Sequence, residues 1–316
     1  MICISIGAVG CNNQSDQVSE TNDFEENCVI VSSEAEIQNE KVVSEESTQD
    51  LVAPETTWDV IYEDTFDFPV YYSGFYNTDY GITVGYGGEI HYTTDGGVSW
   101  PKATNNSACR YGLDIVSENT SYTCGNTGQV TKSTDGGLNF TRVDNFGGST
   151  PYQCKMLSFC DETNGLIASS TRMAITNDGA TSWKQLEAPV ECISVYMDTP
   201  ETFYCIGKDF YFYKTVDGGT TWEKTQLNLP EKDDYYNDSL NVALHADGEQ
   251  SYTIYCIKKS DKTIHSYSTE DQWKTLTENP MPEVEMFASL YLNNSGDILT
   301  LYDSLSSEIT VLKNTQ

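Results

Sequence analysis

Basic residues are scarce in this chain. Its 316 residues include 17 lysines and arginines against 48 aspartates and glutamates, which gives a formal net charge of −31. Residues 12–57 hold twelve acids and a single base, Lys41, and the rest of the chain is also strongly acidic. Phosphate groups are bound by clusters of lysine and arginine, and no basic stripe occurs here. We therefore predict that the protein does not bind nucleic acid.

Long apolar runs and metal-ligand patterns are also missing. No stretch of about 18 or more apolar residues occurs, so we predict no transmembrane helix. The ten cysteines form no C-x-x-C pair, and His91, His245 and His265 are scattered over separate segments. A nucleophile-elbow motif is absent as well. From these absences we predict no metal site and no cofactor.

The first eleven residues, MICISIGAVGC, have the pattern of an export signal. An apolar run from Ile2 to Val9 is followed by small residues and then by Cys11. The stretch resembles a bacterial lipobox, which implies that residues 1–11 are a signal segment and that Cys11 is lipidated. We expect an exported protein anchored at the outer face of the bacterial cytoplasmic membrane. The alternative is that these residues form an ordinary buried first strand.

Residues 12–57 differ from the rest of the chain in composition. They contain few aromatic residues, many Glu, Ser, Gln and Asn, and no repeat. Such a segment cannot bury enough apolar area to offset the entropy of ordering it. We predict a disordered acidic tether, which spans about 40 Å as a flexible coil.

The cysteines of an exported protein are candidates for disulfides. Cys192 and Cys205 flank the turn DTPE on two adjacent strand-like runs, so we predict that they can form a disulfide. Free buried thiols are the alternative, because cysteine also packs well as a small core residue.

From Trp58 onward the chain repeats itself. The segments TTDGGVSW, STDGGLNF, TNDGATSW and TVDGGTTW contain Asp95, Asp135, Asp178 and Asp217, at spacings of 40, 43 and 39 residues. A fifth copy, STEDQW, ends at Trp273 and is two residues shorter. A period near 40 residues with strand-rich units is typical of propeller blades of four strands each.

The repeated segment matches the Asp-box, also called the bacterial neuraminidase repeat. In this motif the Asp carboxylate accepts hydrogen bonds from backbone N–H groups and from the preceding Ser or Thr hydroxyl, which closes the turn. The glycine supplies a positive φ, and the aromatic residue packs between neighbouring hairpins. We therefore interpret the four aspartates as structural. Calcium binding by these rim carboxylates is the minor alternative.

A second element precedes the first two boxes. VGYGGEI (Val84–Ile90) matches CGNTGQV (Cys124–Val130), and in both a strand follows the glycines, which excludes a dinucleotide fingerprint. The combined pattern resembles the propeller family of photosystem II assembly and stability factors. This resemblance implies a role in assembling or stabilising a membrane protein complex.

The number of blades follows from the boxes and from the two ends of the repeat region. Five boxes predict five blades, and three further strands follow near the C-terminus. The segment TTWDVIYED resembles TTWEKTQ, so we predict that Trp58–Tyr62 is the missing fourth strand of the last blade. The fold class is therefore all-β, with a six-bladed, four-stranded antiparallel propeller over residues 58–316.

Ligand sites of propellers lie at the central channel and on the loops that lead into each first strand. Tyrosine combines a flat apolar ring with a polar tip, which suits sugar or peptide ligands. The candidate ligand-binding residues on that face are Tyr71, Tyr72, Arg110, Tyr111, Tyr152, Lys155, Tyr235 and Tyr236.

Sialidase activity is the most specific enzymatic hypothesis, and the sequence argues against it. It needs three converging arginines, whereas Arg142 and Arg172 lie beside boxes, and only Arg110 lies near the channel. Asp114 is on a strand that can face the channel, so another hydrolase stays open. We predict a monomeric, non-catalytic binding or assembly module for a membrane protein complex. The alternative is a glycoside hydrolase or a lectin-like module that binds a cell-surface glycan.

Overall fold

The structure, a computed structural model, describes residues 57–105, 108–145, 153–169, 172–284 and 288–315. The predicted signal segment with Cys11, and all but the last residue of the predicted tether, lie outside the described residues. Within the described part of the chain, no helix is long and apolar enough to cross a membrane. The helices found there are three single 3-10 turns, at Tyr86–Gly88, Asn126–Gly128 and Lys232–Asp234.

In the described residues, twenty-three strands form six antiparallel sheets, which are the blades of a propeller. Blade 1 contains β2 (Val70–Phe75), β3 (Gly81–Gly85) and β4 (Ile90–Thr93), and blade 2 contains β5 (Arg110–Ile115), β6 (Ser121–Gly125), β7 (Gln129–Ser133) and β8 (Thr141–Asn145). Blade 3 contains β9 (Met156–Phe159), β10 (Gly165–Ala168), β11 (Met173–Thr176) and β12 (Lys184–Leu186). Blade 4 contains β13 (Cys192–Met197), β14 (Phe203–Gly207), β15 (Tyr211–Thr215) and β16 (Glu223–Gln226). Blade 5 contains β17 (Val242–Ala246), β18 (Tyr252–Ile257), β19 (Ile264–Thr269) and β20 (Thr277–Asn279), and blade 6 contains β21 (Ala288–Leu292), β22 (Ile298–Asp303), β23 (Glu308–Asn314) and β1 (Trp58–Thr65). The predicted six-bladed all-β fold is confirmed.

In blades 1 to 4 the second strand is buried on both faces. Every residue of β3, β6, β10 and β14 is buried, and these strands are correspondingly rich in apolar and small residues. Both faces are covered because each blade packs between two neighbours. Between blades 4 and 5, for example, the Tyr252 ring lies 4.7 Å from Phe212 and 5.2 Å from Tyr204.

Blade 1 departs from the four-stranded pattern. Its three named strands are followed by a single bridge between His91 and Lys102, and Ala103 N donates a 2.8 Å hydrogen bond to Ile90 O. Pro101 stands at the start of this segment and has no N–H to contribute to a ladder, which explains why a regular fourth strand does not form there.

The ring is closed by the N-terminal strand. Strand β1 pairs antiparallel with β23, with Trp58 opposite Asn314 and Thr65 opposite Glu308. Trp58 is 4% exposed, and its ring meets that of Tyr255 edge-on at 5.7 Å. The prediction that Trp58–Tyr62 completes the last blade is therefore confirmed, and the strand extends three residues further.

The closing strand β1 also contacts blade 1, through the side chain of Tyr62. The Trp100 indole Nε1 donates to the Tyr62 hydroxyl at 3.1 Å, and this hydroxyl lies 3.1 Å from Gly97 O, to which it donates. Burial raises the pKa of Tyr62 to about 12. One side chain of the last blade thus hydrogen-bonds to the first box of the chain.

We expect Trp58→Ala to lower the free energy of unfolding by about 3–5 kcal/mol, because it removes a large buried ring from the closing strand. Urea unfolding of the full chain measures this loss. Val60→Ala is the matched control, since Val60 lies on the same strand and is 45% exposed, and it should change stability by no more than about 0.5 kcal/mol. Equal effects of the two substitutions would contradict the closure.

Candidate functional site

The aspartate of each box is occupied by its own turn. Asp95 accepts hydrogen bonds from the hydroxyls of Ser99 at 2.7 Å and Thr93 at 2.8 Å, and from Ser99 N at 3.0 Å. These bonds hold the pKa of the Asp95 carboxyl below its usual range. The same bonding pattern recurs at three further boxes, at Asp135, Asp178 and Asp217. The geometry fits the structural interpretation of these four residues.

The fifth box is not shortened, in contrast to the prediction. Asp271 accepts from Thr269 Oγ1 at 2.9 Å and from Thr275 N at 2.8 Å, as its counterparts do. The box therefore runs over residues 269–276, and Trp273 stands where the other boxes have the second glycine or Ala180. Gln272 and Trp273 have φ of 60° and 67°, a conformation that side chains disfavour. Sequence reasoning placed Trp273 wrongly because a tryptophan is not expected at a left-handed position.

Packing explains why this tryptophan is retained in the turn. Trp273 is 3% exposed and lies against the rings of Tyr252, at 6.0 Å, and Phe212, at 5.7 Å. Burial of the indole offsets the backbone cost at its own position, whereas the Gln272 side chain is exposed and has no such compensation.

We expect Gln272→Gly to raise the free energy of unfolding by about 0.5–1 kcal/mol, because glycine removes the left-handed strain but adds chain entropy to the unfolded state. Urea unfolding again measures the change. Lys274→Gly in the same turn is the control: its backbone is not left-handed, and glycine there should not stabilise the protein. A destabilised Gln272→Gly variant would show that the turn carries no such strain.

The two ends of the propeller are distinct faces. Tyr71 and Tyr111, each the second residue of an innermost strand, contact one another, and Phe159 N at the end of β9 bonds Asp114 near the end of β5. The innermost strands thus run in one direction around the channel. We call the end where they begin the upper face and the end where they finish the lower face.

Charge is unevenly divided between these faces. Antiparallel connectivity places the first and third turns of every blade on the lower face, and these described loops carry fifteen acids and one base, Lys274. The acids are Asp79, Asp95, Glu118, Asp135, Asp161, Glu162, Asp178, Asp198, Glu201, Asp217, Asp247, Glu249, Glu270, Asp271 and Asp297. The upper-face loops hold acids too, but together with Arg172, Lys155, Lys208, Lys232, Lys258, Lys259 and Lys262. An anionic partner is therefore repelled least by the upper face.

The central channel is narrow and mostly filled by side chains. Its free volume is about 70 Å³, and its lining includes Tyr72, Tyr196, Tyr291 and a buried carboxylate, Asp114. The Tyr72 hydroxyl donates to Leu290 O, and the Tyr291 hydroxyl accepts from Ile115 N at 3.1 Å. These tyrosines bond the blades to one another across the channel.

Asp114 has a structural partner. Its Oδ2 accepts a 2.6 Å hydrogen bond from Phe159 N in the next blade. In the same way, Ser158 Oγ of blade 3 accepts a 2.8 Å hydrogen bond from Met197 N of blade 4. Because a serine fills the equivalent role, the bond does not require a carboxylate. Burial raises the pKa of Asp114 to about 7.

This raised pKa predicts that stability depends on pH. The folded state holds the Asp114 proton up to about pH 7, whereas the unfolded chain releases it near pH 4, so Asp114 makes stability fall as pH rises between these values. We expect Asp114→Asn, whose amide oxygen can still accept from Phe159 N, to be more stable than the wild type at pH 8 and to lose this part of the pH dependence.

Thermal unfolding between pH 4 and pH 8 measures this effect. Asp79→Asn, at an exposed lower-face aspartate, is the control and should follow the wild-type profile. If the stability of Asp114→Asn changes with pH in parallel with that of the wild type, the assignment of this pH dependence to Asp114 is contradicted.

Two predicted ligand residues lie inside the protein. Arg110 is fully buried, and burial lowers the pKa of its guanidinium to about 10. Tyr235 is 2% exposed, and its hydroxyl lies 2.7 Å from that of Tyr267. These predictions are corrected on physical grounds, because a buried side chain cannot contact a ligand. Tyr72 is half-buried, with its hydroxyl bonded within the channel.

The remaining predicted residues lie at the upper face. The rings of Tyr71 and Tyr111 are 5.3 Å apart, and both side chains are half-buried. Lys155 Nζ lies 3.5 Å from Asp238 Oδ1, across the channel mouth. Tyr236 is half-buried against the core between blades 5 and 6, and Tyr152 lies outside the described residues. The structure thus brings together the tyrosine pair on blades 1 and 2, and it places the lysine at the start of the neighbouring blade 3, where its backbone adjoins Gly112.

The predicted disulfide is not present in the structure. Cys192 and Cys205 are both free, buried thiols. The register of β13 and β14 places Cys192 opposite Gly207 and Cys205 opposite Val195, so the two cysteines are offset along the strands, with a bulge between Cys192 and Ser194. Their side chains still contact one another, so the two thiols lie side by side without being bonded.

The comparisons with known proteins report the same architecture. No protein-family model matches this sequence, and a search of curated proteins finds no match. Among solved structures, "YCF48 bound to D1 peptide" is similar over 84% of this chain and 97% of that chain, with 13% identity and a TM-score of 0.55. "YCF48 from Cyanidioschyzon merolae" is similar over 81% and 98%, with 16% identity and a TM-score of 0.50. The WD40 propeller domain of Doa1 is similar over 82% and 98%, with 11% identity and a TM-score of 0.53. At these identities the likeness establishes the propeller fold.

Proposed function

We propose that this protein is a non-catalytic binding module that takes an extended segment of a protein partner on its upper face. The observation that carries the proposal is the pair formed by Tyr71 and Tyr111 at the channel mouth. Paired, half-buried tyrosine rings offer flat apolar area at little entropic cost, and such residues dominate the energy of protein interfaces.

The channel argues for binding rather than hydrolysis. Glycoside hydrolysis needs two carboxyl groups on either side of the scissile bond, about 5–10 Å apart. Asp114 is one carboxylate of the channel lining, and it is engaged by Phe159 N. The free volume of about 70 Å³ is small beside the roughly 300–1,000 Å³ of typical small-molecule sites.

The solved neighbours support the same function by analogy. One of them is described as bound to a D1 peptide, so a propeller of this architecture can hold a peptide segment. We carry this over as a peptide-binding role for the present chain, together with the role in assembly that the sequence resemblance implies.

The expected location fits this role. If Cys11 is lipidated and residues 12–57 form a tether, the propeller is held close to the membrane surface. The acidic lower face is repelled by anionic headgroups, so the upper face is the side that can turn toward a membrane protein.

We expect a Tyr71→Ala and Tyr111→Ala double substitution to weaken partner capture about 10-fold or more, because hot-spot tyrosines each contribute more than about 1 kcal/mol. Chemical cross-linking of the full chain to membranes of its source cell, followed by mass spectrometry, measures capture and identifies the partner. Tyr86→Ala is the matched control, since Tyr86 is 60% exposed in a turn of the same face and does not belong to the pair.

Two outcomes decide against the proposal. Undiminished capture by the double variant would show that the tyrosine pair is not the binding surface. Capture that survives protease treatment of the membranes but not glycosidase treatment would favour the glycan-binding alternative.

A further inference from the structure

A groove on the upper face is separate from the tyrosine pair. It lies where blades 3, 4 and 5 meet, encloses about 260 Å³ and borders the channel. Its lining includes three buried apolar residues, Met156, Cys192 and Ile193. The pattern of apolar lining with a polar rim is typical of a slot for one anchoring group of a ligand.

Two lysines stand on the rim of this groove. Lys155 Nζ is 3.5 Å from Asp238 Oδ1, and Lys208 Nζ is 3.1 Å from Glu191 Oε1. The acid side chains are 58% and 45% exposed, so both ion pairs are in contact with water and are weak. The two carboxylates can turn into solvent and leave both ammonium groups to an incoming anion.

The groove lining also contains a buried hydroxyl group, that of Ser169. Ser169 is 6% exposed, and its buried hydroxyl has no hydrogen-bond partner among the described residues. A buried hydroxyl without a partner is uncommon in folded proteins and needs an explanation. A hydroxyl can donate one hydrogen bond, and a carboxylate oxygen accepts such a bond strongly.

We infer that this groove binds a carboxylate of the partner segment, held between Lys155 and Lys208 and hydrogen-bonded by Ser169, with the adjoining carbons on Met156 and Ile193. The inference rests on the proposed function and names the chemistry that the upper face recognises. The charge distribution agrees with it, because the upper-face loops, where lysines offset part of the acidic charge, repel an acidic segment less than the lower-face loops do.

The carboxylate can belong to an acidic side chain or to a chain end, and small probes separate these sources. N-acetylglutamate α-amide carries only the side-chain carboxylate, and N-acetylglutamine carries only the terminal one. N-acetylglutamine α-amide is the neutral control. Each probe is titrated into the full chain while the acetylation rate of individual lysines is followed by mass spectrometry.

We expect at least one of the charged probes to slow acetylation of Lys155 and Lys208 several-fold, with no effect on Lys232 in a neighbouring upper-face loop. Ser169→Ala should weaken the binding of this charged probe about 10-fold, since the substitution removes a hydrogen bond to a charged group. A Lys155→Gln and Lys208→Gln variant should abolish its binding, measured by calorimetry, whereas Lys232→Gln should not.

The inference is overturned if the neutral amide protects the lysines as well as the charged probes do, or if the double lysine variant binds them unchanged. Its failure is distinguishable from that of the proposed function. Charged probes that do not bind, together with capture that still depends on Tyr71 and Tyr111, would remove the inference alone. If the charged probes bind but partner capture is unchanged by the Tyr71→Ala and Tyr111→Ala substitutions, the proposed function alone is removed.

Discussion

The pairing of β1 with β23 is the constraint on which the rest of the structure depends. Each blade can bury its two faces only against two neighbours, so an open ring would leave one face of blade 1 and one of blade 6 in water. The closing strand supplies Trp58 to the core between blades 5 and 6, and it supplies Tyr62 to the box of blade 1. Because every blade has the same antiparallel topology, all six innermost strands share one direction, and two distinct faces result.

The most conspicuous residues of the sequence serve this architecture. The box aspartates close their own turns, and the buried Asp114 carboxylate bonds one blade to the next as Ser158 does. Such residues have few acceptor positions left for a ligand. The chemistry available to a partner therefore lies in less conspicuous positions, on the loops that lead into the innermost strands. There, paired tyrosines and two lysines lie around the channel mouth.

The repeat predicted the fold because period, turn chemistry and strand pattern agreed over four copies and, in part, at a fifth and at the closing segment. Single residues were harder to place. The position of Arg110 at the start of a strand did not reveal that its side chain is buried, and Trp273 occupies a left-handed turn position that no propensity favours. Lys208 was missed because the groove is assembled from three blades, and only the folded ring brings their loops together.

Amide hydrogen exchange of the full chain tests the closed ring most directly. If β1 completes the last blade, its amides that bond to β23 exchange only through global unfolding and show the same opening free energy as the amides of the buried strand β6. Rapid exchange of these same β1 amides, with β6 fully protected, would mean that the ring is open and would contradict the account.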